Sequence, residues 1–444
     1  MERIRRVQGA RGLEAVRQAV RGRRSRPAAD PVPRLAMGAV GGSTGRHALP
    51  RVRGPWFPAA VLVALSALPM LLAVLQKNNC ITGGWRSPQL IWRMCYSDPV
   101  VRWANAGLDD GHVPWSSPGT EMAQVAPVRT TLLWLAGLPL GPVPQRFDQQ
   151  AYFAVWAVLL VLAVAALVVA VVDWARAEGS DPWAASHVAL SPLLVPLAMV
   201  SDLLVWLALA VWGCVLWRRG STGSAATAGV VWVLAVLAMP LLVVLPVACV
   251  VAAPRALRWA WVPMVLTAAA VCVPWLVWNR RSLSGLAFWD AGAGNGGVWS
   301  VVRGLGAAPP GWAVATLAVG GLVLGALLGG VLARRATTGQ EVGAALGGGA
   351  LVAAALQPEV PTQFGLLAVP FVALAGWGWR THLWWVLVEG LHFVFVWMYL
   401  GRASNTRMGM PEDGYAAVVA LRLAAWVVLV TLLVLRSSRT ARLR

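Results

Sequence analysis

From Ala151 to Val172 the chain carries no charged side chain, and that single run decides what kind of fold is available. A helix of about 20 apolar residues covers the roughly 30 Å of hydrocarbon in a bilayer. Comparable stretches recur at Pro55–Leu75, Ala185–Val200, Asp202–Trp217, Ala226–Met239, Leu241–Ala253 and Ala256–Trp278. They continue at Gly311–Leu332, Val342–Leu356, Phe364–Trp379, Leu383–Leu400 and Tyr415–Leu435, with Pro192 and Pro240 as breakpoints among the short ones. Only 12% of the residues are charged, against about 25% in an ordinary soluble domain. The expected fold is all-α, a polytopic transmembrane bundle of about twelve spans. No fixed-period repeat marks it as an inverted-repeat transporter.

The formal charge of +19 points to a membrane surface rather than to nucleic acid. All but one of the 37 basic residues are arginine, the exception being Lys77. Much of the charge lies in residues 1–53, read as a solvated basic tail, and in the tail 437–444. Arginine clusters beside spans are retained in the cytoplasm and attract anionic headgroups. The turns bearing Arg176, Arg218, Arg219, Arg255, Arg334, Arg335 and Arg380 fall on one side if Pro127–Leu140 does not span. That run, broken by Arg129, suits an interfacial helix. The expectation is a multi-pass cell-membrane protein with a transmembrane domain over 54–436 and both termini cytoplasmic. Loops 76–150, 279–310, 357–363 and 401–414 then face outward.

Loop 76–150 is the longest polar segment between spans. Asp98 stands between Tyr96 and Pro99, and a carboxylate there could take a proton from a hydroxyl acceptor. His112 follows Asp109-Asp110-Gly111, a sequence that equally well only turns the chain. Cys80 and Cys95 share the loop and either form a disulfide, worth about 3 kcal/mol in an oxidising compartment, or stay as thiols. Cys214, Cys249 and Cys272 lie in apolar runs as small core residues.

Asp202, where two short spans meet, needs water or a partner at that depth, or caps the following helix. Arg280 and Arg281 sit on the outer side against the charge bias, where the guanidinium fork fits a phosphate or snorkels to the interface. Glu389 and His392 share a helix face within a span; the acid is either structural, bonded to His382 or a tryptophan, or lines a cavity. The run Gly292–Gly297 lacks the residues of a P-loop. Gly41-Gly42-Ser43-Thr44-Gly45 lacks the flanking elements of a nucleophile elbow. No His/Cys spacing fits a metal.

Taken in order, Cys95-Tyr96-Ser97-Asp98, Gly107-Leu108, Gly111-His112-Val113-Pro114-Trp115, Leu190-Ser191-Pro192 and Asp202-Leu203-Leu204 form a recognisable series. Val273-Pro274-Trp275, Trp299, Pro361-Thr362-Gln363-Phe364, Pro370, Glu389, Trp397 and Tyr399 extend it. The series resembles the bacterial GT-C membrane glycosyltransferases, in the branch of polyprenyl-phosphate-mannose-dependent α-mannosyltransferases. The resemblance implies a GT-C-like fold and transfer of a hexose from a polyprenyl-phosphate donor to a glycolipid or glycan acceptor of the cell envelope. It implies Asp98 as catalytic base, outer arginines on the lipid phosphate, and no soluble cofactor. Some of the family's charged positions are apolar here, as at Val125-Ala126-Pro127 and Ala106. The alternative is a non-catalytic member of the same fold that binds or moves a lipid carrier or serves assembly. An ion-coupled transporter would need Asp202 or Glu389 on an aqueous path.

Overall fold

The computed structural model describes residue 32 and residues 56–109, 113–114, 125–140, 148–287 and 292–438. The basic tail, His112, Asp110, Glu121, Trp289 and Asp290 lie outside the described residues. Within them the chain is all helix, with no strand. The main elements in order are α1 (Phe57–Gln76), α2 (Asp98–Asn105), α3 (Pro127–Gly137), α4 (Asp148–Ala177), α5 (Leu203–Arg219) and α6 (Thr222–Ala238). They continue as α7 (Leu257–Trp278), α8 (Val298–Gly304), α9 (Gly311–Arg335), α10 (Gly339–Ala355), α11 (Trp379–Gly401) and α12 (Glu412–Ser437).

Six helices among the described residues are long and apolar enough to cross a membrane: α1, α4, Pro254–Trp278, α9, α11 and α12. Shorter apolar helices, among them Thr222–Ala238, Pro240–Ala252 and Thr362–Leu374, fill the space between them. The shortfall against twelve continuous spans has local causes. Pro192 ends the helical turn Ser186–Ala189, so the 185–200 run is a string of one-turn pieces. Phe364–Trp379 is a 3-10 turn followed by Ala368–Leu374, stopped by Gly376 at φ +66°. The Pro127–Leu140 run is the short helix α3 plus one 3-10 turn.

Tryptophan and small residues set the packing. At the α9–α10 contact, a side chain on Gly325 would run into the Gly349 carbonyl, and one on Gly349 into that of Gly325. Such close backbone approach is the usual way helices associate in lipid, where burial of apolar surface supplies little drive. Only 11% of the apolar window in α7 is covered, and Val265 and Leu266 on it are 58% and 63% exposed. An apolar face this bare belongs against hydrocarbon.

The connections gather at two opposite ends. At one, the Asp98 amide donates to Val200 O (2.8 Å), Trp92 Nε1 to Ser404 Oγ (2.9 Å) and Val360 N to Asn295 O (3.0 Å). At the other, Arg218 pairs with Glu178, Arg219 with Asp173 (2.8 Å), and Arg436 donates to Gln340 (2.8 Å).

Candidate functional site

The loop after α1 is fixed from two sides. Cys80 and Cys95 form a disulfide. Gln76 Nε2 donates to Met94 O (2.7 Å), and the fully buried Lys77 Nζ donates to Tyr96 O (2.9 Å). Burial drives the Lys77 ammonium down to about 7. Together these contacts hold Tyr96-Ser97-Asp98 rigidly at the end of the bundle. Asp98 is the first residue of α2, where a negative side chain suits the positive end of the helix dipole.

Two carboxylates and one guanidinium meet there. Arg129 Nε donates to Asp202 Oδ2 (2.7 Å), and Arg129 Nη2 donates to Asp98 Oδ2 (3.1 Å). The same Nη2 lies 2.7 Å from Asp202 Oδ1 as an ion pair off the hydrogen-bond axis. Tyr96 Oη donates to Asp98 Oδ1 (2.6 Å), and Trp206 Nε1 to Asp202 Oδ2 (2.8 Å). Arg102, one turn along α2, stands 3.6 Å from Asp98, in ion-pair but not hydrogen-bond range.

Burial alone would raise the Asp98 carboxyl, but Arg102, Arg129 and the Tyr96 hydroxyl outweigh it and hold it below the ordinary carboxylate range. The Tyr96 phenol is pushed up by its burial and by Asp98. The Arg129 guanidinium, although buried, is held charged by Asp202 and Asp98.

A third carboxylate, exposed to solvent, lies within electrostatic range of Asp98 and Arg102. Glu359 belongs to the connection after α10, next to a stretch where Gly294 N donates to Pro358 O (2.9 Å). A Cβ on Gly294 would lie 2.6 Å from that of Glu359, so only glycine fits. Crowding by the chain, then the Asp98 charge, raise the Glu359 carboxyl, with Arg102 offsetting part. Arg303 clamps the opposing loop through Ala293 O (2.6 Å) and Asn295 Oδ1 (2.8 Å).

Asp98 and Asp202, expected separately from the sequence, therefore lie at one site. The residue that joins them is Arg129, which reads in sequence only as a flaw in an apolar run. Arg280 and Arg281 are exposed at the end of α7, on a turn that packs against α3; the bridging guanidinium is not theirs. Asp202 occupies the N-cap position of α5, but its side chain serves Arg129 and Trp206 rather than the helix.

Glu389 is elsewhere in the bundle and fully enclosed. Both its oxygens accept from Arg422 (Nε at 3.1 and 3.2 Å, Nη2 at 2.9 Å), and Trp426 Nε1 adds a 2.6 Å bond. Arg422 also donates to Val360 O (2.6 Å) and Gly296 O (3.1 Å). His382 bonds instead with Ser191 (3.1 Å), and His392 with Tyr415 (3.3 Å). The tryptophan partner expected for Glu389 is present; the histidine is replaced by an arginine from α12.

The site thus offers an ionised carboxylate, a less acidic one near it, and two guanidinium groups, all at one end of an apolar bundle. No protein-family model, curated protein or solved structure matches the chain.

Proposed function

We propose that the protein is an integral membrane glycosyltransferase of the GT-C type, moving a hexose, mannose by the resemblance, from a polyprenyl-phosphate donor to a cell-envelope glycolipid or glycan. The observation that carries this reading is the convergence of Asp98 and Asp202 on Arg129, with Arg102 beside them, behind a disulfide-closed loop. In the reaction, an acceptor hydroxyl attacks the anomeric carbon as the bond from that carbon to the phosphate oxygen breaks. The hydroxyl proton passes to Asp98 and the polyprenyl phosphate leaves with the bonding pair. Guanidinium groups at this end would offset the charge that grows on the leaving phosphate. The depressed carboxyl keeps Asp98 ionised and able to accept at any physiological pH, at some cost in base strength.

The same proposal includes twelve crossings, with the Asp98 end extracytoplasmic and both termini in the cytoplasm. Its support is that α5, at 17 residues, already reaches from Asp202 beside Asp98 to Arg219 beside Asp173. The turn arginines Arg176, Arg218, Arg219, Arg255, Arg334 and Arg335 share one end, which the positive-inside rule would keep inside, and the disulfide end suits an oxidising compartment.

Full chain reconstituted in proteoliposomes with polyprenyl-phosphate mannose and an envelope glycolipid extract should transfer sugar. Asp98→Asn should lower the rate by about 10²-fold or more while leaving donor binding intact. A variant with wild-type rate removes Asp98 from the chemistry. One observation favours a second reading, a carrier-lipid binder without transfer: both Asp98 oxygens are already engaged, by Tyr96 and Arg129. Donor binding by the wild type with no transfer to any glycolipid fraction would select it.

A further inference from the structure

A recess lies at the end opposite Asp98. It is a cavity of about 460 Å³ whose walls include Trp217, Arg218, Arg255, Arg258, Trp259 and Arg334. Arg218 is already neutralised by Glu178 and stacks on Trp174, 4.6 Å from the ring centre. The other three arginines have no carboxylate partner among the described residues, and all three are exposed at the cavity mouth. Three uncompensated guanidinium groups around one recess repel one another, which an anion between them would relieve. The 3-10 turn Pro254–Ala256 and the start of α7 also border the cavity. The Leu257 N–H is taken by Pro254 O, and the positive end of the helix dipole faces this side. Arg258 lies over the Trp259 ring, 4.9 Å from its centre, and both side chains line the recess.

The position of the recess identifies the source of the anion. It opens beside the barest face of the molecule, with Trp259 43% and Trp261 54% exposed on α7. Tryptophan at that level marks the headgroup zone, and basic pockets between spans take phospholipid headgroups. A lipid whose chains lie along α7 would bring its phosphate to Arg255, Arg258 and Arg334. We propose that this cavity is a binding site for the phosphate of an anionic phospholipid from the adjoining leaflet, separate from the Asp98 site and independent of whether that site transfers sugar.

Native mass spectrometry of the detergent-solubilised full chain tests it, titrating phosphatidylglycerol, phosphatidylcholine of the same acyl chains, and inorganic phosphate. The first phosphatidylglycerol should bind about ten-fold tighter than phosphatidylcholine. That preference should vanish in the Arg255→Gln/Arg258→Gln/Arg334→Gln variant and survive in Arg335→Gln, an arginine of the same end outside the cavity. Inorganic phosphate should not displace the lipid at comparable concentration. Equal binding of the two lipids by the wild type overturns the proposal, as does an undiminished preference in the triple variant. Displacement by inorganic phosphate at equal concentration overturns the lipid assignment and makes the occupant a soluble phosphate. If the triple variant does not fold, the wild-type lipid preference and each single variant decide the matter.

Discussion

Arg129 lies 31 residues from Asp98 and 73 from Asp202, yet it holds both. The two carboxylates were legible because an acid in an apolar setting must find water or a partner. Their partner was not, since a lone arginine between Val128 and Thr130 carries no mark of what it will meet. Glu359 was likewise silent: its role comes from the loop geometry around Gly294, which no local pattern encodes. The residue that can be moved without unfolding the site is Arg102, half exposed and at ion-pair distance only. Its charge is among the forces holding the Asp98 carboxyl low. Removing it raises that carboxyl, so the active ionised form is lost at a higher pH as acid is added. Arg102→Gln should therefore shift the acid limb of the transfer-rate profile upward, measured in proteoliposomes across pH 4–7 at about quarter-unit steps. An unmoved limb would mean that some other group sets it.

Among elements, a fully buried ion pair joins α11 to α12 through Glu389 and Arg422. Glu389 has no exposure and Arg422 only 1%, so neither charge tolerates loss of the other. Arg422→Met should cost about 3–5 kcal/mol, because it strands a carboxylate in the bundle. Glu389→Gln combined with Arg422→Met should recover much of that loss, since a neutral pair needs no counter-charge. Thermal unfolding of the detergent-solubilised protein gives the cycle; simple additivity of the two single changes would contradict a direct pair. The sequence showed that Glu389 needed a partner and offered His382 or a tryptophan; Trp426 is there, but the charge partner is Arg422, 33 residues on. Long apolar helices were readable because their signal is uniform. The stretches around Pro192 and Pro240 were harder, because a proline in an apolar run leaves open whether the helix bends or stops.

At the scale of the whole molecule, the two ends carry different groups. One end carries Asp98, Asp202, Glu359 and the Cys80–Cys95 disulfide. The other carries Arg176, Arg218, Arg219, Arg255, Arg258, Arg334 and Arg335 with the arginine-walled recess. The hydropathy pattern made the bundle legible and the arginine positions gave its polarity; the convergence of loops from four places in the chain needed three dimensions. The transfer reaction depends on which end faces the cytoplasm. The measurement that tests this most directly is labelling of intact cells with a membrane-impermeant maleimide, using single cysteines introduced into a Cys272→Ser background. Thr406→Cys, beside the Trp92–Ser404 contact, should label without permeabilisation, and Thr222→Cys, at the start of α6 beside Arg219, only after it. The reverse pattern would place the Asp98 cluster in the cytoplasm and contradict the account.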